Sequence, residues 1–472
     1  MTRFARCFRI AAVSRKGRAG LLAAALALAL AAQGALGQAV DVCVLFADPP
    51  TWGRDANAFV MEMRKFGFAF TDAGRTSAAS SAKDAMTFGG LPVFETRVYW
   101  KGGVLSRAEI SVYNRGDAAL PIRKADFESL VAATGAQLEE KFGKGVNGPV
   151  EKPGANKFAK SVKWTGQSPM ALMQWAYAEN RGGSGGFMAE YIRVTFVPKS
   201  GMAAADNAAL TGKSMLVKAS NLMALKKNVA KMPKGDVYID GVPMVDQGRK
   251  GYCAASSAER ILRYYGLQID QHQVAQLAET SAKSGTSLEG ISEAVEAIGK
   301  QYSLTRETLI KADSGGKVFE KSSTGEDLAD YNKTAKRLGK PQLDWHDFAM
   351  QMGQHAFSID VGAIWAAMEP EVLLASRTAK KQQAAAFRRD VAKYVDMGVP
   401  LMWSCLVGIF PEVPDVGAQG AFGHMRLVIG YNRQTDELLY SDSWGGAHAL
   451  KRMPMDQAWA MTKGLMVLKP RN

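Results

Sequence analysis

The chain is 472 residues long, past the roughly 250–300 residues at which single cores usually stop growing, so at least two domains are expected. Hydrophobic residues make up 47% and charged residues 22%, which excludes global disorder, while 4 Cys and 47 Gly without a fixed period exclude a disulfide scaffold and a collagen-like repeat. The formal charge of +14 would suit a nucleic-acid or membrane-surface protein only if it were spread over the whole chain.

It is not spread evenly. Arg3, Arg6, Arg9, Arg15, Lys16 and Arg18 precede the apolar run Leu21 to Ala32, and the small-residue sequence Ala35-Leu36-Gly37 follows. This is the layout of a secretory signal peptide over residues 1–37, with removal expected near Gly37-Gln38. The run is short of the roughly 20 apolar residues that span a bilayer. Export to a periplasm or to the cell exterior is therefore expected, with no stable membrane insertion afterwards. The remaining positive excess is mild, so no nucleic-acid partner is expected.

Removal of the signal takes Cys7 with it and leaves Cys43, Cys253 and Cys405, an odd number for an oxidising compartment. Cys43 in DVCVLF and Cys405 in PLMWSCLVG lie in apolar, strand-like runs and read as buried, inert thiols. Residues 38–232 read as an α+β domain. Val93 to Trp100 and Val104 to Tyr113 are β-rich runs joined by Lys101-Gly102-Gly103, a hairpin signal. Ala125 to Phe142 has helical spacing, and ALMQWAYAE and FMAEYIRVTFV suggest a second hairpin around RGGSGG, Arg181 to Gly186. No His precedes His272, which argues against metal binding or His-dependent catalysis in this half, and its role is unassigned. Ala204 to Lys231 reads as a helix and Met232-Pro233-Lys234-Gly235 as a linker. Gly212-Lys213-Ser214 lacks the upstream Gly of a phosphate-binding loop, since Asn207 stands there.

The second domain is expected from Asp236 to the end, and its informative segment is Val242 to Gly266. Ala254, Ala258, Ile261, Leu262 and Tyr265 recur at helical spacing, and Gly266 is a natural stop. Cys253 thus sits at a helix N-terminus, where unpaired N–H groups and the helix dipole favour thiolate. Gln247 lies upstream across a loop punctuated by Gly248 and Gly251, so its amide and the Cys253 N–H can converge on one spot, as an oxyanion hole requires. Further along, His424 opens a strand, a turn follows near Asn432 to Asp436, and a second strand returns towards Trp444. Alternation sets His424, Arg426 and Val428 on the face away from Met425, Leu427 and Ile429, and the return brings Asp442 near the level of His424. A carboxylate there can orient an imidazole base.

Gln247 to Cys253, with Tyr264-Tyr265-Gly266 closing the helix, resembles the nucleophile segment of papain-like cysteine peptidases, and most of all the double-glycine (bacteriocin-leader) branch. Gly423-His424 with a strand ending at Gly430-Tyr431 resembles the catalytic-His strand, and Asp442-Ser443-Trp444-Gly445 resembles the orienting segment, with the Asp of the double-glycine branch. Gly285-Thr286-Ser287-Leu288 and Gly398 to Gly408 resemble minor parts of the same domain. Ala254 and Ala255 depart from the family pattern after the nucleophile, and the spacing from Cys253 to His424 exceeds the roughly 130–150 residues of papain-like chains. The excess is read as a helical insertion near 301–394.

The resemblance implies an α+β papain-like peptidase domain, a helical part plus an antiparallel sheet, in an exported enzyme acting on peptide or isopeptide bonds. Catalysis would use Cys253, His424, Asp442 and Gln247, without a cofactor or metal. A silent peptide- or protein-binding module, and a transglutaminase- or deamidase-type acyl transferase, are the alternatives. His272 reads as lying on a polar helix face and His346 at a surface helix start, while His355 and His448 have no partner in sequence.

Overall fold

The computed structural model describes residues 39–471 apart from 72–73, 83, 119–120, 155, 180–185, 200–220, 248–250, 268, 270, 279, 281–285, 312–318, 352–356 and 416–421. The expected signal peptide, the Gly212-Lys213-Ser214 sequence, most of the RGGSGG turn and His355 lie outside the described residues. No helix among the described residues is long and apolar enough to cross a membrane.

The first half is built on a sheet of nine strands among the described residues, whose main members are β1 (Ser77–Ser80), β2 (Glu95–Lys101), β3 (Val104–Asn114), β4 (Lys157–Trp164), β5 (Met170–Glu179) and β6 (Phe187–Val197). They run in the order β1-β2-β3-β6-β5-β4, all antiparallel. Both expected hairpins are present. The β2–β3 turn places Gly102 and Gly103 at φ +59 and +81, the paired left-handed geometry that joins twisted strands tightly. The expected helix is α2 (Lys124–Phe142), and it packs on β6. Cys43 corrects the sequence reading, because DVCVLF forms helix α1 (Val42–Ala47) rather than a strand. The Asp41 carboxylate accepts from the Cys43 and Val44 N–H groups, and this cap outweighs the β-favouring side chains. Phe46, Phe59, Trp100, Phe127 and Phe196 form part of the buried core here.

The second half has its own sheet and its own core. Its strands are β7 (Val229–Lys231), β8 (Asp236–Ile239), β9 (Leu304–Ile310), β10 (Leu401–Val407), β11 (Phe422–Asn432), β12 (Glu437–Ser441), β13 (Lys451–Pro454) and β14 (Thr462–Pro470). The main path is β7-β8-β11-β10-β14-β9, with β12 pairing β11 and β13 pairing β12. All seven residues of β10 are buried, as its unbroken LMWSCLV run requires of a strand covered on both faces. Helices α3 (Cys253–Tyr264), α4 (Gln271–Leu277) and α5 (Leu288–Tyr302) lead into the sheet, and α3 packs against β11.

Two expectations about this half change. Residues 222–239, read as helix end and linker, form a short helix (Leu222–Lys226) and a β-hairpin, β7–β8, whose turn is Met232 to Gly235 with Gly235 at φ +87. That hairpin joins the second sheet, and Leu225 enters its core. The insertion is also shorter than 301–394. Its first strand, β9, pairs with β14 in the main sheet, and the last helix, α9 (Lys381–Asp396), contributes Phe387, Val391, Tyr394 and Val395 to the main core. What remains is a satellite layer of α6 (Ser323–Leu338), α7 (Val361–Ala367) and α8 (Pro370–Thr378) around Leu328, Tyr331, Trp365 and Leu373.

Candidate active site

The nucleophile candidate begins α3. Tyr252 precedes the helix without a side-chain cap, so the first-turn amides stay available to an anion at position 253. Cys253 is half-buried, and its thiol hydrogen-bonds the His424 ring and the backbone at Met425 and Ala254. Burial alone would raise its pKa, but the His424 charge and these hydrogen bonds outweigh burial and lower it. By contrast, burial pushes Cys43 and Cys405 up to about 12, as expected of inert thiols.

His424 comes from β11, opposite Cys405 on β10. Its Nε2 lies 2.6 Å from Asp442 Oδ1, which leaves Nδ1 as the ring nitrogen for Cys253. Burial disfavours the charged ring, yet Asp442 and Cys253 together push His424 up to about 9. The raised His and lowered Cys describe one state, a thiolate beside an imidazolium. Asp442 follows β12, whose register sets Ser441 opposite Leu427, so the hairpin return expected from sequence is the one observed. The Trp444 ring lies parallel to the imidazole, 4.2 Å between centroids and 16° between planes, and covers the face of the His424–Asp442 pair.

Sequence alternation put His424 on the less apolar face, but that face is also closed: His424 is 5% exposed and Asp442 0%. The charged groups there are paired by residues the sequence alone does not assign. Arg426 Nε lies 2.7 Å from Asp442 Oδ2, and Arg426 also pairs with Glu412, which in turn binds Lys451 and accepts from the Tyr440 hydroxyl. Asp442 stays ionised: His424, Arg426 and the Ser443 N–H overcome the effect of burial and hold it well below the usual carboxylate range.

Arg260, in the middle of α3, donates to Pro243 O at 2.7 Å, Asp442 O at 2.9 Å and Ser441 Oγ, fastening the nucleophile helix to the Asp442 strand. Helical spacing groups Arg260 with Ser256, Ser257 and Tyr264 rather than with the apolar stripe, so no sequence signal marked it as buried. Gln247 is 6% exposed, its N–H donates to Ser443 O at 2.9 Å, and its Oε1 accepts from the Ser443 hydroxyl at 2.7 Å. With the oxygen so held, the amide nitrogen Nε2 is the end of the side chain turned from Ser443.

Three further histidines lie among the described residues. His272, expected on a polar face, instead packs edge-on against Tyr252 at 5.6 Å. His346 binds Asp344 at the start of a short exposed 3-10 helix, Trp345–Phe348, as expected, and His448 packs edge-on against Trp444. No group of three or more potential metal ligands occurs among the described residues.

Sequence comparison agrees with the chemistry of this cluster. The second half of the chain is related to cysteine-type peptidases. More specifically, residues 239–467, just under half of the chain, match the Peptidase_C39 like family. Among solved structures the chain is similar to Xylellain, a cysteine protease from Xylella fastidiosa, at 11% identity and TM-score 0.25, over 54% of this chain and 91% of that one. No curated protein matches the chain.

Proposed function

We propose that this protein is an exported cysteine peptidase that hydrolyses peptide or isopeptide bonds through Cys253, His424, Asp442 and Gln247. The reading rests on one observation: Cys253, His424 and Asp442 form a continuous hydrogen-bonded row at a helix N-terminus. The Cys253 thiolate attacks the substrate carbonyl carbon and forms a C–S bond. Negative charge moves to the carbonyl oxygen, where the Gln247 amide and the Cys253 N–H stabilise it. The C–N bond breaks as the His424 imidazolium gives its proton to the leaving amine. Water then attacks the thioester, passes a proton to His424, and the carboxylic acid leaves as the thiolate is restored. Asp442 keeps the His424 tautomer and stabilises its charged form.

In this reading residues 1–37 are the export signal, the N-terminal α+β half is a separate domain, and the peptidase domain follows. The papain-like architecture is a helical side carrying Cys253 packed on a sheet carrying His424. The test is the pH dependence of Cys253 alkylation by iodoacetamide, located by mass spectrometry, in the mature chain and in His424→Ala. Reaction at mildly acidic pH, moving in the variant towards a free thiol near pH 8.5, is the expected result. An inert Cys253 in folded protein, or a free-thiol profile in both proteins, would refute it.

A further inference from the structure

The N-terminal sheet touches the peptidase half at the two flanks of the segment that leads from Gln247 to Cys253. On the upstream flank, Arg97 of β2 donates from Nη2 to the Asp246 carbonyl at 2.8 Å. The guanidinium is itself aimed by Glu95, which accepts from Nε and Nη2 at 3.1 and 2.7 Å, and Arg97 and Glu95 are only 7% and 5% exposed. On the downstream flank, Tyr252 donates its hydroxyl to Oδ1 of Asn114, the last residue of β3. Asn114 is 1% exposed and is held in turn by Asp117, which accepts from its Nδ2 at 2.7 Å. The Tyr252 ring lies on Gly116, where an added Cβ would fall 2.1 Å from Cε1.

Both contacts come from one hairpin, β2–β3, and they act on the residues directly before Gln247 and directly before Cys253. On the peptidase side Gln247 is tied to Ser443 by the bonds already described. An oxyanion hole needs its donors fixed before charge develops, because a donor that must first move loses most of its advantage. The geometry points to Arg97 and Asn114 as positioning residues that set the spacing between the Gln247 amide and the Cys253 N–H. This inference rests on the peptidase reading above. It gives the N-terminal half a role: completing the oxyanion hole of the domain that follows it.

The contacts make no approach to the Cys253–His424 pair itself, so two reactions of Cys253 separate the roles. Alkylation by iodoacetamide needs the thiolate but develops no oxyanion. Acylation by p-nitrophenyl acetate forms the C–S bond, builds charge on the carbonyl oxygen and expels p-nitrophenolate, read as a burst at 400 nm. Both rates are measured on the full mature chain and on Arg97→Gln, Asn114→Ala, Tyr252→Phe and the Asn114→Ala/Tyr252→Phe pair. Loss of a whole oxyanion donor costs about 10²–10³ in rate, so misplacing it by loss of one anchor is expected to slow acylation about tenfold. Alkylation should stay within about twofold across pH. Asn114→Ala deletes the bond that Tyr252→Phe deletes, along with those to Asp117 and the Gly116 N–H, so the double variant should match Asn114→Ala.

Unchanged acylation in all four variants overturns the proposal, as does a proportional fall of both rates, which would mark a general loss of structure. Tyr252→Phe removes a single atom and keeps the ring on Gly116, so it guards against variants that merely fail to fold. Free-thiol alkylation in the parent chain would instead refute the peptidase reading, and this inference with it.

Discussion

Arg426 lies between two buried carboxylates, and Arg426→Met removes its charge while keeping much of its length. Its Nε is 2.7 Å from Asp442, its Nη2 is 2.9 Å from Glu412, and all three side chains are 0% exposed. Lys451, also 0% exposed, pairs with Glu412 at 2.9 Å. With Cys253 ionised and His424 protonated, signs alternate from Cys253 through His424, Asp442, Arg426 and Glu412 to Lys451 and sum to zero. Met at 426 leaves the set with one uncompensated negative charge in a place water does not reach. Removing one partner of a buried pair costs roughly 3–5 kcal/mol. For a unit of 150–250 residues, at about 2–4 °C per kcal/mol, Tm should fall by about 6–20 °C.

The sign of the pH dependence follows from the same contacts. Burial opposes ionisation of Asp442 and Glu412, but His424 and Arg426 for the first, and Arg426, Lys451 and Tyr440 for the second, keep both below their ordinary values. A depressed carboxylate contributes stability above its unfolded value, near pH 4, and the contribution is lost as pH falls through its folded value. In Arg426→Met the folded values rise and that contribution shrinks. The gap between parent and variant should therefore be widest at pH 7 and narrow below about pH 4. Urea and thermal unfolding at pH 7 and 3.5 measure it, and adding Glu412→Gln should recover part of the loss by restoring neutrality. A loss under about 1 kcal/mol at pH 7, or an equal loss at both pH values, would refute the reasoning.

The other predictions draw on single contacts. With His424 pushed up to about 9, peptide hydrolysis should hold to about that pH and fall above it, and the stabilisation from its charge, complete below about pH 6.5, should be lost over the same rise; a pH–rate profile and melts from pH 6 to 10 check both. In native protein a limiting maleimide probe should label Cys253 and leave Cys43 and Cys405, both buried and held near 12, unlabelled until denaturant is added. Gly430→Ala should destabilise by about 1–3 kcal/mol in urea melts, because its Cβ would meet the Val237 carbonyl oxygen at 2.6 Å where β8 pairs with the His strand. Trp444→Ala uncovers the His424–Asp442 pair and should slow hydrolysis about 10-fold or more while lowering the pH at which activity fails, read by the same profile.

Much of this fold was legible because its elements carry their own punctuation. The β2–β3 hairpin announced itself through two glycines at the turn, and α3 through apolar spacing that ends at Gly266, which adopts φ +85. Local signals misled where a single polar residue overrode its neighbours, as Asp41 does in capping α1, or where a partner distant in sequence decided the outcome. Met232 to Gly235 has the composition of a linker, yet it is a hairpin turn because β8 finds Asn432 to Gly430 on β11, nearly two hundred residues away. β9 was absorbed into the insertion for the same reason, since its partner β14 is the last strand.

The site shows the same limit more sharply. Alternation along β11 set His424 and Arg426 on one face, and that pairing is real: both meet Asp442. What alternation does not report is whether such a face is wet. A strand with polar residues at every second position reads as half solvated, and an Arg there as a surface residue. Here the face is closed by Trp444 and by Glu412, which arrives from the segment after β10 with no signal around it beyond two flanking prolines at 411 and 414. A buried Arg is tolerable only where carboxylates meet it, so Asp442 and the Glu412 behind it are two halves of a single requirement. The candidate cluster was legible as the types and order of four residues, while the contacts that favour the charged forms of Cys253, His424 and Asp442 run between strands and loops that only folding brings together.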